Sequence, residues 1–164
     1  DRYLKEEEAF SISGLKEEEF QRLKEIAKTI NKLITEEVSR FDLIHIDGKI
    51  EIALDHKRNL MVVDVFGTPD ECRFFMDTFH LSKEIARVFY RKTEWYNEVV
   101  LRKKEDADRW KENVKTMPPN LPKDLLSGIS NFYKSFCNEL TGRVWFEDAP
   151  QLKDVLKTLK DLVN

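Results

Sequence analysis

Between Ile44 and Val65 the chain abandons helical spacing for a period of two, broken once by a short polar segment. Ile44 to Leu54 alternates, His56-Lys57-Arg58-Asn59 interrupts, and Leu60 to Val65 is almost wholly apolar. This pattern predicts a β-hairpin, and a hairpin must bury an apolar face against something else. The flanking sequence offers helices. Phe20, Leu23, Ile26, Ile30, Leu33, Ile34 and Val38 recur at three-and-four spacing between Leu15 and Val38, as do Ile85, Val88, Phe89, Trp95, Tyr96, Val99 and Val100 further on. Pro118-Pro119 ends one helical stretch. A helix from about Pro122 then carries Leu125, Ile129, Phe132 and Phe136 and stops at Gly142, and a short one holds Leu152, Val155, Leu156 and Leu159. Ser82 is the expected N-cap of the helix after the hairpin. The fold class expected is α+β, a small antiparallel sheet packed among several helices, with 1–164 forming a single domain.

Composition narrows the function. Charged residues make up 36 percent of the 164, yet the formal net charge is only -3, which disfavours a general nucleic-acid binder. No apolar run approaches the roughly 18 residues a membrane helix needs, and no membrane partner is expected. Cys72 and Cys137 lie in no metal-ligand spacing and read as reduced thiols of a cytoplasmic protein. The aromatic-rich C-terminal helices offer a surface for a homo-oligomer, expected to be a dimer.

Strand parity puts Asp47, Lys49 and Glu51 on one side of the first strand. With a four-residue loop over His56–Asn59, Glu51 faces Asp64, while Ile50, Ile52 and Leu54 face Val65, Val63 and Met61. A one-residue slip would move Asp64 among the isoleucines and bury a charge, so this register is the expected one. Carboxylates paired across strands stand about 4.5 to 5.5 Å apart at their Cβ atoms, and magnesium, a hard ion that takes oxygen ligands, suits Glu51 and Asp64. Lys49 would offset the acids or reach a phosphate. On the residues alone, a merely solvated strand face accounts for the same pattern.

Asp47-Gly-Lys49-Ile-Glu51, followed by Val63-Asp64-Val-Phe-Gly-Thr68-Pro69-Asp70-Glu-Cys-Arg73-Phe74, resembles the phosphoribosylaminoimidazole-succinocarboxamide synthase (SAICAR synthetase) family in order and spacing. The likeness covers about residues 1–105, through Ser82-Lys83-Glu84 and Arg87; residues 106–164 form a helical extension. It implies an ATP-dependent carbon-nitrogen ligase of purine biosynthesis, joining L-aspartate to carboxyaminoimidazole ribonucleotide (CAIR) through an acyl phosphate. ATP and Mg2+ are the implied cofactors. The resemblance implies that Glu51 and Asp64 hold magnesium and, with Lys49, the nucleotide; that Lys49 and Asp47 lie near the reacting carboxylate and phosphates; that Arg73 grips the 5'-phosphate; and that Asp70 orients the substrate loop. An Asx turn at Asp70 explains that residue equally well. The sequence departs from the family at Ile52-Ala53, Val65, Cys72 and Phe75. Family members also begin with a strand-rich lobe that closes over ATP, and none of the five glycines here lies in a phosphate-binding pattern. The chain is therefore expected to correspond to the C-terminal portion. The alternatives are a related Mg-ATP phosphotransferase and a non-catalytic domain that binds ribonucleotide or serves assembly.

Overall fold

The computed structural model describes residues 3–76 and 79–163 and has an α+β architecture. Its contacts divide the chain into two compact units, 1–74 and 75–164.

In the first unit, α1 (Glu6–Ser13) precedes the long α2 (Glu17–Ser39). The start of α2 is secured by Glu19, whose carboxylate accepts the Lys16 amide at 2.7 Å. One face of α2 buries Phe20, Ile30, Ile34 and Val38, the positions its spacing selects. That face packs on β1 (Ile44–Gly48), which is paired with β4 (Cys72–Met76), and Leu43, Cys72 and Phe74 complete the core. A separate two-stranded sheet joins β2 (Ile52–Leu54) to β3 (Leu60–Val62), antiparallel.

Three sequence expectations are corrected here. First, Ile44–Leu54 is not one strand: it breaks at Lys49, whose amide turns to the Glu71 carbonyl at 2.9 Å, so β1 joins β4 and only β2 enters the hairpin. Second, the hairpin register is shifted by one residue, with Ile52 opposite Val62, Ala53 opposite Met61 and Leu54 opposite Leu60. Turn chemistry sets this. The Asp55 carboxylate accepts the Lys57 and Asn59 amides, each at 2.8 Å, while the Asp55 amide bonds the Asn59 carbonyl at 3.0 Å. The loop left between that pair is His56–Arg58, with Arg58 left-handed at φ 65°. The penalty that should have forbidden this register does not arise. Met61 and Val62, on opposite faces, remain 44% and 38% exposed, and Asp64 lies past the end of β3 in an exposed bend. Third, the segment between Cys72 and Leu81, for which no strand was expected, contains β4 and β5 (Phe79–Leu81).

In the second unit, β5 lies beside the C-terminal part of β4 and against α3 (Glu84–Arg91). The helical stretch expected from Ile85 to Val100 is two helices. It is cut at Thr93, whose hydroxyl caps α4 (Glu94–Glu105) by accepting the Tyr96 amide at 3.2 Å. Ser82 caps as expected, its buried hydroxyl accepting the Glu84 amide at 3.0 Å. After α5 (Trp110–Asn113) come α6 (Lys123–Thr141), ended by left-handed Gly142, and α7 (Leu152–Val163). Phe132, Phe136, Val155, Leu156 and Leu159 interlock α6 with α7. The two helices meet closely at Gly128, where a Cβ would stand 2.8 Å from Leu159 Cδ2.

Candidate functional site

The break after β1 and the turn before β4 bring the predicted site residues together in the first unit. Residues 68–72 form a tight turn in which the Thr68 carbonyl accepts the Glu71 and Cys72 amides at 3.1 and 2.8 Å. This turn carries Glu71 to the backbone of Lys49 and starts β4 so that Arg73 meets Asp47. The Arg73 guanidinium donates Nε to Asp47 Oδ1 at 2.7 Å and Nη2 to Oδ2, a planar two-point pairing. Lys49 Nζ lies 2.6 Å from Glu51 Oε1 and 3.8 Å from Glu71 Oε2. Its pKa is raised, first by the hydrogen bond to Glu51 and then by the charges of Glu51, Glu71 and Asp64.

The predicted residues therefore form two adjoining groups. Asp47 and Arg73 are one; Lys49 and Glu51 are the other, with Asp64 close enough to act on Lys49 electrostatically. Glu51 does not face Asp64 across the hairpin: its carbonyl accepts the Val63 amide at 3.0 Å, as the shifted register requires. The exposed Asp64 carboxylate accepts the Val65 amide at 2.8 Å. Asp70 is exposed within the 68–72 turn, where Thr68 supplies the side-chain oxygen that accepts the Glu71 amide, at 3.4 Å.

Glu71 was not singled out from the sequence. Its side chain is only 19% exposed, so it presents an ordered second carboxylate to Lys49. It went unseen because nothing in the apolar pattern announced β4, the strand that fixes its position.

Behind Lys49 a small cavity of about 100 Å3 lies between α2 and β1, lined among others by Ile30, Ile34, His45, Gly48 and Cys72. Both His45 ring nitrogens are buried there without a hydrogen-bond partner, and desolvation holds the imidazole pKa down. Burial pushes the Cys72 thiol up. The pair thus presents a neutral wall. Gly48 is required at this point, because a Cβ would come within 2.7 Å of Cys72 Sγ.

Glu51 and Asp64 are exposed carboxylates, the oxygen type a hard cation takes. Among the described residues no three His, Cys, Asp or Glu side chains form a closed metal cage. An ion held here would need water or substrate oxygens for the rest of its shell, as magnesium commonly does.

In the second unit, Glu84 is buried between Arg87 and Arg91, its Oε2 3.2 Å from Arg87 Nη1. Burial opposes ionisation of this carboxyl, yet the two guanidiniums hold its pKa below the usual range. No helix among the described residues is long and apolar enough to cross a membrane.

An arginine paired with a carboxylate and a lysine flanked by two more stand side by side where β1 ends and β4 begins, on an α+β framework. The family model described as SAICAR synthetase matches residues 1–105, and the chain belongs to that family. A protein of Archaeoglobus fulgidus, provisionally named phosphoribosylaminoimidazole-succinocarboxamide synthase, is 54% identical over 164 residues, covering 100% of this chain and 48% of the relative. The Thermoplasma acidophilum and Thermoplasma volcanium synthases are 35% and 36% identical, each covering 88% of this chain and 50% of the relative. The chain thus spans about half the length of the curated relatives it matches. A solved SAICAR synthetase (Type-2) in complex with ADP aligns with a TM-score of 0.49 at 21% identity, over 74% of this chain and 48% of that one.

Proposed function

We propose that residues 1–164 form, as one functional domain, the substrate and magnesium side of an ATP-dependent ligase that joins CAIR to L-aspartate. A CAIR carboxylate oxygen attacks the γ-phosphorus of ATP and ADP leaves. The aspartate amine then attacks the acyl carbon, phosphate departs, and the amine proton is lost to give SAICAR. Such chemistry depends on holding phosphates and carboxylates together while neutralising their charge.

The observation that carries this reading is the convergence of Arg73–Asp47 and Lys49–Glu51–Glu71 where β1 ends and β4 begins. Arg73 binds the 5'-phosphate of CAIR by its planar fork. Lys49 and Asp47 lie beside the reacting carboxylate and phosphates, and Asp70 orders the substrate loop. Glu51 and Asp64 would hold Mg2+, which when bound neutralises the phosphate oxygens of ATP. The names of the relatives support the same substrate class. We place the reaction in the cytoplasm and assign a homodimer, supported by exposed apolar side chains such as Trp145 (59%) and Leu162 (42%) near the C-terminus.

Calorimetric titration with CAIR tests the assignment. The chain should bind CAIR, and Arg73→Ala should weaken binding by about tenfold to a hundredfold, the worth of a charge-assisted two-point contact. Equal affinity in the variant would remove Arg73 from the site. Glu51→Gln and Asp64→Asn should each reduce the magnesium dependence of ATP binding in the full-length protein, and unchanged dependence in both would remove the metal assignment.

A further inference from the structure

We propose that Asp47 is an internal competitor for the anion that Arg73 grips, and that this competition sets which anions the site accepts. The inference rests on the assignment of Arg73 to an anionic ligand and adds a gate to it. The Nε–Nη2 edge of Arg73 is fully engaged by the two oxygens of Asp47, with Nε to Oδ1 at 2.7 Å. That edge is the one a phosphate monoester would use for two parallel hydrogen bonds. A ligand that takes it must displace Asp47.

The geometry allows the exchange. Both side chains are 48% exposed, so an incoming anion can reach the pair and the released carboxylate can be hydrated. Ion pairs this open to solvent contribute little, so breaking one is cheap. Selectivity follows from charge. A carboxylate monoanion exchanging with Asp47 replaces like with like and gains little, whereas a phosphate dianion brings a second charge and a third oxygen. Asp47 thus acts as a built-in threshold that rejects free carboxylates, L-aspartate among them, from the phosphate position.

Titration of the 164-residue chain with inorganic phosphate, and separately with acetate, tests the gate. Asp47→Asn, and Asp47→Ser as a second variant of different shape, should bind phosphate about threefold to tenfold tighter than the parent, the fold-change expected from removing a competing surface ion pair. Acetate, rejected by the parent, should become a measurable competitor in both variants. Phosphate affinity that is unchanged or lower in both folded variants would overturn the proposal, because Asp47 would then be neutral toward the ligand or assist it. Arg73→Ala separates this failure from failure of the underlying assignment. If the alanine variant binds phosphate as tightly as the parent, Arg73 is not the anion site and both ideas fall. If it loses phosphate binding while the Asp47 variants gain nothing, only the gate falls.

Discussion

Gly48 carries the tightest steric constraint among the residues of the site. A Cβ there would meet Cys72 Sγ at 2.7 Å and both His45 Nε2 and the Glu71 carbonyl at 3.3 Å, and the backbone carbonyl cannot rotate away. Gly48→Ala should therefore destabilise the protein by about 1–3 kcal/mol through overpacking. The measurement is a shift of the denaturant midpoint at unchanged slope. Because Lys49 is the next residue and its amide is tied to the Glu71 carbonyl, the same change should also loosen the lysine held between Glu51 and Glu71. Lys49 and Arg73 divide the charge work differently. The ammonium is a point charge shared between Glu51 and Glu71, whereas the guanidinium has committed its planar edge to one carboxylate.

At the scale of elements, the hairpin is held by its turn and by one tether. The Arg58 guanidinium donates to both Glu19 oxygens, at 2.7 and 2.6 Å, while its backbone stays left-handed at φ 65°. Arg58→Ala and Arg58→Gly both lose the tether, but only glycine relieves the backbone strain. The glycine variant should be the more stable of the two by about 1 kcal/mol, read from thermal unfolding; equal stabilities would deny the strain. The Arg58 hydrogen bond, aided by the Lys16 amide, lowers the Glu19 pKa from its ordinary 4.5 to about 2. A depressed carboxyl contributes stability that is complete above its unfolded value and is lost on acidification through its folded value. Amide exchange in β2 and β3 should accordingly accelerate as pH falls from about 4.5 towards about 2, beyond the intrinsic pH dependence of exchange, and Glu19→Gln should abolish that extra step. Three helices were legible in the sequence because each shows three-and-four spacing over several turns: α2, α6 and α7 lie where that spacing puts them, whereas α1 and the four-residue α5 were not expected. The sheet was legible only in part. Burial of one face fixes a strand's register, but both faces of this hairpin are partly open and the Asp55 turn decides instead. β4 and β5 were missed because Cys72–Met76 and Phe79–Leu81, at five and three residues, are too short to establish a period and follow a turn-rich stretch.

At the scale of the whole molecule, each unit has its own core and each should respond to its own lesion. Leu159 is fully buried against α6 where Gly128 lets the helices approach, so Leu159→Ala should lower the stability of the second unit by about 2–5 kcal/mol, read from denaturant unfolding. The candidate site lies wholly within the first unit, between residues 47 and 73, and the sequence disclosed most of it through the motif Asp47-Gly-Lys49-Ile-Glu51 and the stretch ending at Arg73. What the motif could not disclose was how its residues pair. That depends on the break at Lys49 and on β4, which join Asp47 to Arg73 and Glu71 to Lys49. On the function proposed, this junction binds a phosphorylated ribonucleotide together with magnesium. The most direct test is to follow the backbone and side-chain resonances of the chain by NMR as CAIR is added in the presence of Mg2+. Saturable shifts are expected at Asp47, Lys49, Glu51, Glu71 and the Arg73 guanidinium, with α6 and α7 unmoved. Saturable shifts confined to the second unit, or none at these five residues, would contradict it.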